Sequence, residues 1–164
     1  MDSIDIIRRQ WAQECPDLNT LPMGILGRML RVTKYLEAQI SDWLKSHGLL
    51  TGEFDVLMTL RRHGEPYRLT PSALLHSMML TSGAMTNRLD KLEAKGMIVR
   101  EHSREDRRSV EVLLTSSGLA CIDTILDDYV AMQERLLVEL SSDDQQTLSA
   151  LLKQWLLSLD NGER

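Results

Sequence analysis

The chain has 164 residues, of which 43% are hydrophobic and 26% charged, and its formal net charge is −5. That length suits one domain able to fold without disulfide or metal staples, and the balanced composition excludes a disordered chain. Apolar runs fall far short of the roughly 20 residues that cross a bilayer, so no membrane partner is expected.

Aromatic residues are scarce while leucine and methionine are plentiful, a mix that favours packed helices over a β-sandwich. Residues 3–14 read as a short amphipathic helix with Ile4, Ile7 and Trp11 on one side. The segment MDSIDIIRRQWAQE lacks the apolar centre of a signal peptide, so a cytoplasmic location is expected. CPDLNTLP (15–22) is a breaker bracketed by Pro16 and Pro22. A long helix follows, with Leu26, Met29, Leu30, Leu36, Ile40, Trp43 and Leu44 at helical spacing and Gly48 as its C-terminal cap. Thr51 is expected to cap a helix carrying Phe54, Leu57, Met58 and Leu60 that ends near Gly64.

Thr70-Pro71 starts the next helix, because proline suits the first helical position. Another runs from Ser82 to about Lys95 and is closed by Gly96. Its Met85, Leu89 and Leu92 form the buried stripe, while Ser82, Thr86, Asn87, Arg88 and Lys91 supply short polar or cationic groups on the other side. Two strand-like runs, 97–101 and 109–114, flank the tip HSREDRR. Thr115-Ser116 opens a long helix to about Leu140, and Ser142 with Gln145 predicts a capping box for the last one. That helix presents Leu148, Leu151, Leu152, Trp155, Leu156 and Leu159.

Charge is distributed unevenly. Between Arg88 and Arg108 seven bases face five acids, whereas the segment after Thr115 is strongly acidic. A local basic footprint on an acidic body fits a protein that binds DNA without binding every polyanion. A solvated mixed-charge surface would have the same composition.

Short helices followed by a β-hairpin with a basic tip describe a mainly α fold with a small hairpin wing, a winged helix-turn-helix. In that arrangement the second helix of the pair lies in the major groove and the wing reaches the adjacent backbone or minor groove. Residues 51–115 would be the DNA-binding region. Residues 1–50 and 116–164 would carry long dimerisation helices, all within one intertwined domain. A two-fold dimer would place its reading helices one helical turn apart on a pseudo-palindromic operator. The alternative is that the terminal helices merely wrap the core of a single chain.

The stretch LTSGAMTNRLDKLEAKGMIVREHSREDRRSVEVLLTSSG (80–118), with GLLTGEFDVLMTLRRHG upstream, resembles the recognition helix and wing of the multiple-antibiotic-resistance regulator (MarR) family. The resemblance spans about 23–159. It implies a homodimeric, bacterial, cytoplasmic transcription regulator, usually a repressor, that releases double-stranded operator DNA when a small molecule or oxidant alters the spacing of its readers. Ser82, Thr86, Asn87 and Arg88 would then meet bases or phosphates, and Lys91 the backbone. Arg107 or Arg108 would enter the minor groove, with Asp106 orienting a neighbouring arginine. One departure stands out: Ser103-Arg104 occupies the place where family wings often carry Asp-Pro, so Arg104 adds a cation for phosphate.

The helix preceding the family core resembles the added helix of the family's urate-responsive branch. That branch implies a ligand set of Trp11, Asp55, Arg88 and Arg100, suited to stacking and ion-pairing a flat, weakly acidic purine such as urate or xanthine. Another organic anion or a phenolic compound fits the same groups. Without a ligand, Trp11 would pack a dimer interface and Asp55–Arg100 would be a structural ion pair.

A redox-responsive regulator acting through Cys15 is the competing reading, although Cys15 lies at the C-terminal end of its helix, where no dipole lowers a thiol pKa. Cys15 and Cys121 show no CxxC spacing, and His47, His63, His76 and His102 do not cluster in sequence, so no metal is expected. The absence of a phosphate loop, a nucleophile elbow or an HExxH motif argues against an enzyme, and no cofactor is expected.

Overall fold

A computed structural model of the chain describes residues 1–78, 82–102 and 109–162, with only the backbone described at 82, 83 and 162. The predicted tip of the wing, including Ser103, Arg104, Asp106, Arg107 and Arg108, lies outside the described residues.

Helix α1 (Ser3–Glu14) is capped by the Asp2 carboxylate, which accepts from the Ile4 and Asp5 amides at 2.8 and 2.9 Å. It packs on α2 (Leu21–Ser46) by seating Ile4 against Gly27, and Arg28 ties both Asp2 and Asp5 to α2. Pro22 does not close the breaker as expected. It lies in the first turn of α2, where the missing N–H has no intrahelical partner to lose.

Helix α3 (Thr51–Arg62) starts differently from the expectation that Thr51 caps it. Leu50 is the N-cap residue, and the Glu53 carboxylate reaches back to accept from its N–H at 2.9 Å. A short strand β1 (Arg68–Leu69) follows, unforeseen because two residues carry no periodicity. Thr70 caps α4 (Pro71–Met78) by accepting from the Ala73 amide, as its position before proline suggested. Helix α5 (Ser82–Ala94) ends before Gly96, whose φ of +68° lies in the left-handed region.

Strands β2 (Ile98–His102) and β3 (Val110–Leu114) pair antiparallel, Arg100 opposite Val112, and β1 adds to the other edge of β3, giving the order β1-β3-β2. Thr115 then anchors the hairpin base. Its N–H donates to Met97 O, its hydroxyl donates to Gly96 O, and the same hydroxyl accepts from Gly118 N–H at the start of α6 (Ser116–Leu136). Gly118 is required there, because a Cβ would collide with the Met97 carbonyl.

The core joins Leu44 and Leu49 to Val56, Leu57 and Leu60 of α3, Leu74 of α4, Ile98, Val112 and Ile122. Met85, Leu89 and Leu92 of α5 are buried among them, so the expected stripe does hold α5 to the body. Burial of each such side chain contributes roughly 1.5–3 kcal/mol.

Helix α7 (Ser142–Gly162) is capped by Ser141, one residue before the expected Ser142, with the Asp144 amide donating to its hydroxyl. Gln145 instead turns back to donate to the Leu137 and Leu140 carbonyls. No described residue of α7 is buried; Leu151, Leu156 and Leu159 are each more than half exposed. Leu21, Ile25, Leu26 and Leu30 of α2 are exposed too. The apolar faces of α7 and of the first half of α2 therefore point away from this core, whereas Leu44 near the end of α2 and Ile122 of α6 belong to it.

Candidate nucleic-acid interface and effector site

Two residues on α3, Glu53 and Gly52, help position α5. Glu53, only 1% exposed, accepts from the Leu50 amide and from Lys95 Nζ at 2.7 Å, and Lys95 also donates to Gly48 O. The residues just after α5 are thereby pinned to the junction of α2 and α3. Next to Glu53 in sequence, Gly52 leaves room for Arg88, whose Nε, Cζ and Cδ occupy the space a Cβ would need.

With α5 held this way, Thr86, Asn87 and Lys91 are exposed on its outer side. These short polar and cationic groups sit on an accessible helix preceded by α4, the placement expected for contacts with base edges and phosphates. Ser82 lies at the start of α5, where only the backbone is described.

Arg88 is different. It is partly buried, and its Nη1 lies out of solvent contact with no hydrogen-bond acceptor among the described residues. A buried guanidinium donor without a partner is costly, and such groups call for an explanation. The adjoining recess of about 260 Å³ is bounded by Gly52, Ala84, Asn87 and Arg88. Asp55, one turn beyond Gly52, is near enough for Arg88 to oppose the rise in its pKa. The dominant effect on Asp55 is burial, which pushes the carboxyl above its ordinary range, while the charges of Arg88 and Arg62 pull it back.

Arg62 was not foreseen as part of this cluster, although it lies two turns from Asp55 and so shares its face of α3. It donates to the Ser77 carbonyl at 3.0 Å, tying α3 to the end of α4. On another side Tyr129 packs on Phe54, and burial, then the Asp55 charge, pushes its phenol up.

Arg100 does not meet Asp55. Its guanidinium is 2.7 Å from Asp90 and 2.5 Å from Glu93, and its amide donates to Glu93 at 3.1 Å. The anticipated Asp55–Arg100 structural ion pair is therefore not formed, because α5 places two carboxylates beside β2. Glu93 is held below the usual carboxylate range by hydrogen bonds from Arg100. Trp11 stands near the C-terminal end of α1, 42% exposed, on a helix that packs against α2. Asp55 and Arg88 are thus neighbours, while Arg100 is engaged on the other flank of α5 and Trp11 belongs to a different layer.

Cys15 is exposed at the C-cap of α1, its N–H donating to Trp11 O, and Cys121 is partly buried, which raises its thiol pKa. Among the described residues no group of three or more histidine, cysteine or acidic side chains is arranged to hold a metal. No helix there is long and apolar enough to cross a membrane.

This architecture has known relatives. The MarR family matches residues 49–110, from the connection before α3 to the first residue of β3. The transcriptional regulator PecS of Dickeya dadantii is 36% identical over 148 residues, covering 90% of this chain and 89% of PecS. Among solved structures, AbsC, a MarR family transcriptional regulator from Streptomyces coelicolor, shares the fold at a TM-score of 0.79 and 23% identity, covering 88% of this chain and 97% of AbsC. A cysteine-to-serine variant of MarR from E. coli, complexed with operator DNA, is similar at a TM-score of 0.68 and 27% identity, covering 89% of this chain and 97% of that one. The chain belongs to the MarR family and is a transcription regulator of the winged helix-turn-helix type, not an enzyme.

Proposed function

We propose that the protein is a homodimeric repressor that binds a pseudo-palindromic duplex operator and lets it go when a small anionic or aromatic effector, such as urate or xanthine, binds. In this reading residues 51–115 bind DNA, and the helices in 1–50 and 116–164 pair two copies. The protein works in the cytoplasm. Ser82, Thr86, Asn87, Arg88 and Lys91 contact the major groove and its phosphates. Arg104, Asp106, Arg107 and Arg108 form the wing's contribution. The MarR relative solved with operator DNA supports the first part.

The observation that carries the effector reading is Arg88 Nη1, a buried guanidinium donor with no acceptor among the described residues, near the partly buried Asp55. An anionic oxygen or a deprotonated ring nitrogen supplies the missing acceptor. Arg88 stands on the reading helix, so a ligand that draws its guanidinium inward removes a DNA contact and shifts α5 together. Differential binding of this kind is what couples two sites, with coupling energies of about 1–3 kcal/mol. Arg100 joins the ligand by exchanging Asp90 or Glu93 for it, and Trp11 stacks on its ring.

The test is fluorescence anisotropy of the protein on its own upstream intergenic DNA, titrated with urate, xanthine and a set of aromatic and carboxylic acids. Tight binding at physiological salt that weakens with purine is expected. Tight binding indifferent to purine leaves the regulator and removes the purine site.

A further inference from the structure

The surface contains a second groove, of about 500 Å³, between the end of α2, the start of α3 and the outer edge of α5. Lys45 borders it from α2, Lys91 from α5, and Lys95 from just beyond α5. Among the described residues the only carboxylate lining it, Glu53, is buried and already bonded to Lys95, so Lys45 and Lys91 are left to set the charge of the opening. A cationic groove of this kind is unexpected on a chain of net charge −5.

Its position is as informative as its charge. Lys91, Leu50 and Glu53 also border the recess that holds Asn87 and Arg88, so the two hollows form one track. The track leads off the exposed side of the reading helix toward the end of α2. The structure assigns this groove to the phosphate backbone of the bound duplex: Lys45 and Lys91 clamp a strand beside the major groove that α5 reads. The inference rests on the DNA-binding reading above and extends the footprint to α2, outside the helix-turn-helix and the wing. A duplex is favoured over an acidic protein segment because the groove continues directly from base-reading side chains, and backbone contacts fix register for such a helix.

Asp42 gives the arrangement a built-in opponent. Its carboxylate lies 3.1 Å from Lys45 Nζ, and both side chains are largely exposed. Part of the Lys45 charge is therefore engaged by Asp42 in the free protein and becomes available to phosphate when Lys45 swings away.

The experiment measures binding of the full-length protein to its own upstream duplex and to a scrambled duplex, across a series of salt concentrations. Lys45→Ala is expected to weaken both duplexes about equally, by roughly threefold to tenfold, and to flatten the slope of log affinity against log salt by about one per protomer bound. Lys45→Arg should restore most of the loss, and Asp42→Asn should tighten binding to both duplexes. Both substituted side chains are exposed, and a circular dichroism melt checks that the variants remain folded. Unchanged affinity and slope for Lys45→Ala, while an Arg107→Ala/Arg108→Ala variant loses affinity, would overturn the groove and leave the DNA-binding reading standing. A loss confined to the upstream duplex would also overturn it, since phosphate contacts carry no sequence information. If the unmodified protein binds neither duplex, the DNA-binding reading fails first and the groove falls with it.

Discussion

Arg88 lies across Gly52, its guanidinium stem filling the space in which any other residue would carry a Cβ. The first turn of α3 is in this way shaped around a side chain of the reading helix. Gly52→Ala ought to favour the helix by up to about 1 kcal/mol on propensity alone. Here it instead drives Arg88 out of its place. The expected result is operator affinity reduced about tenfold and a weakened effector response, with a thermal midpoint close to that of the parent. Anisotropy and a melting curve together check it.

Asp55 makes stability depend on pH in a defined direction. Burial raises its pKa, so the folded state holds the proton more tightly than the unfolded one and pays for ionisation as pH rises. Stability contributed by the protonated form is present below the ordinary aspartate value of 3.8 and is lost as pH climbs through the raised value. Asp55→Asn should therefore melt higher than the parent at pH 7, with the difference shrinking as pH falls into the carboxylate range. Melts at pH 7 and near pH 3.5 read this out; a variant less stable at neutral pH would show that the attraction to Arg88 and Arg62 outweighs burial.

Among the described residues Lys95 supplies the single ammonium on the buried Glu53 carboxylate. Lys95→Met leaves that carboxylate with only the Leu50 amide, and the loss of a hydrogen bond to a charged group costs about 1.5–3 kcal/mol. Lys95 itself is partly solvated, so the lower end is expected. Urea unfolding should give a lower midpoint with an unchanged slope.

The uncovered leucines of α7 predict the oligomeric state. Leu152→Asp with Leu156→Asp places two charges on an outer face that touches no core, so a monomer would tolerate them. A pairing face would not. Analytical ultracentrifugation is expected to show a dimer for the parent and a monomer with much weaker operator binding for the variant.

Trp11 offers an optical test of the effector site. It is one of three tryptophans, the others being Trp43 and Trp155. Urate should quench the fluorescence of the parent, and Trp11→Phe should remove most of that quench while leaving DNA binding in the absence of ligand unchanged. Equal quenching in both proteins would place the ligand elsewhere. Arg100→Ala should weaken purine binding and also loosen β2 from α5, because Asp90 and Glu93 lose their shared partner.

What the sequence determined by itself was whatever depends on local rules: helix periods, the Thr70-Pro71 and Thr115 starts, the glycine stops, and the alternation in β3. These follow from neighbours three or four residues apart, or two in a strand. The family motif was legible for the same reason, as a contiguous run through α5 and the wing. Caps failed by one residue at Leu50, where the Glu53 carboxylate reaching back replaces the expected hydroxyl, and at Ser141, whose hydroxyl takes the part expected of its neighbour Ser142. Only the tertiary structure decided the pairings across elements. It gave Arg100 to Asp90 and Glu93 instead of Asp55, set Arg88 on Gly52, joined Lys95 to Glu53, and opened a cationic groove between α2 and α5. Charge attraction is non-directional and falls off slowly, so many partners are consistent with one sequence. Which of them meet is fixed by how the core leucines seat one helix against another.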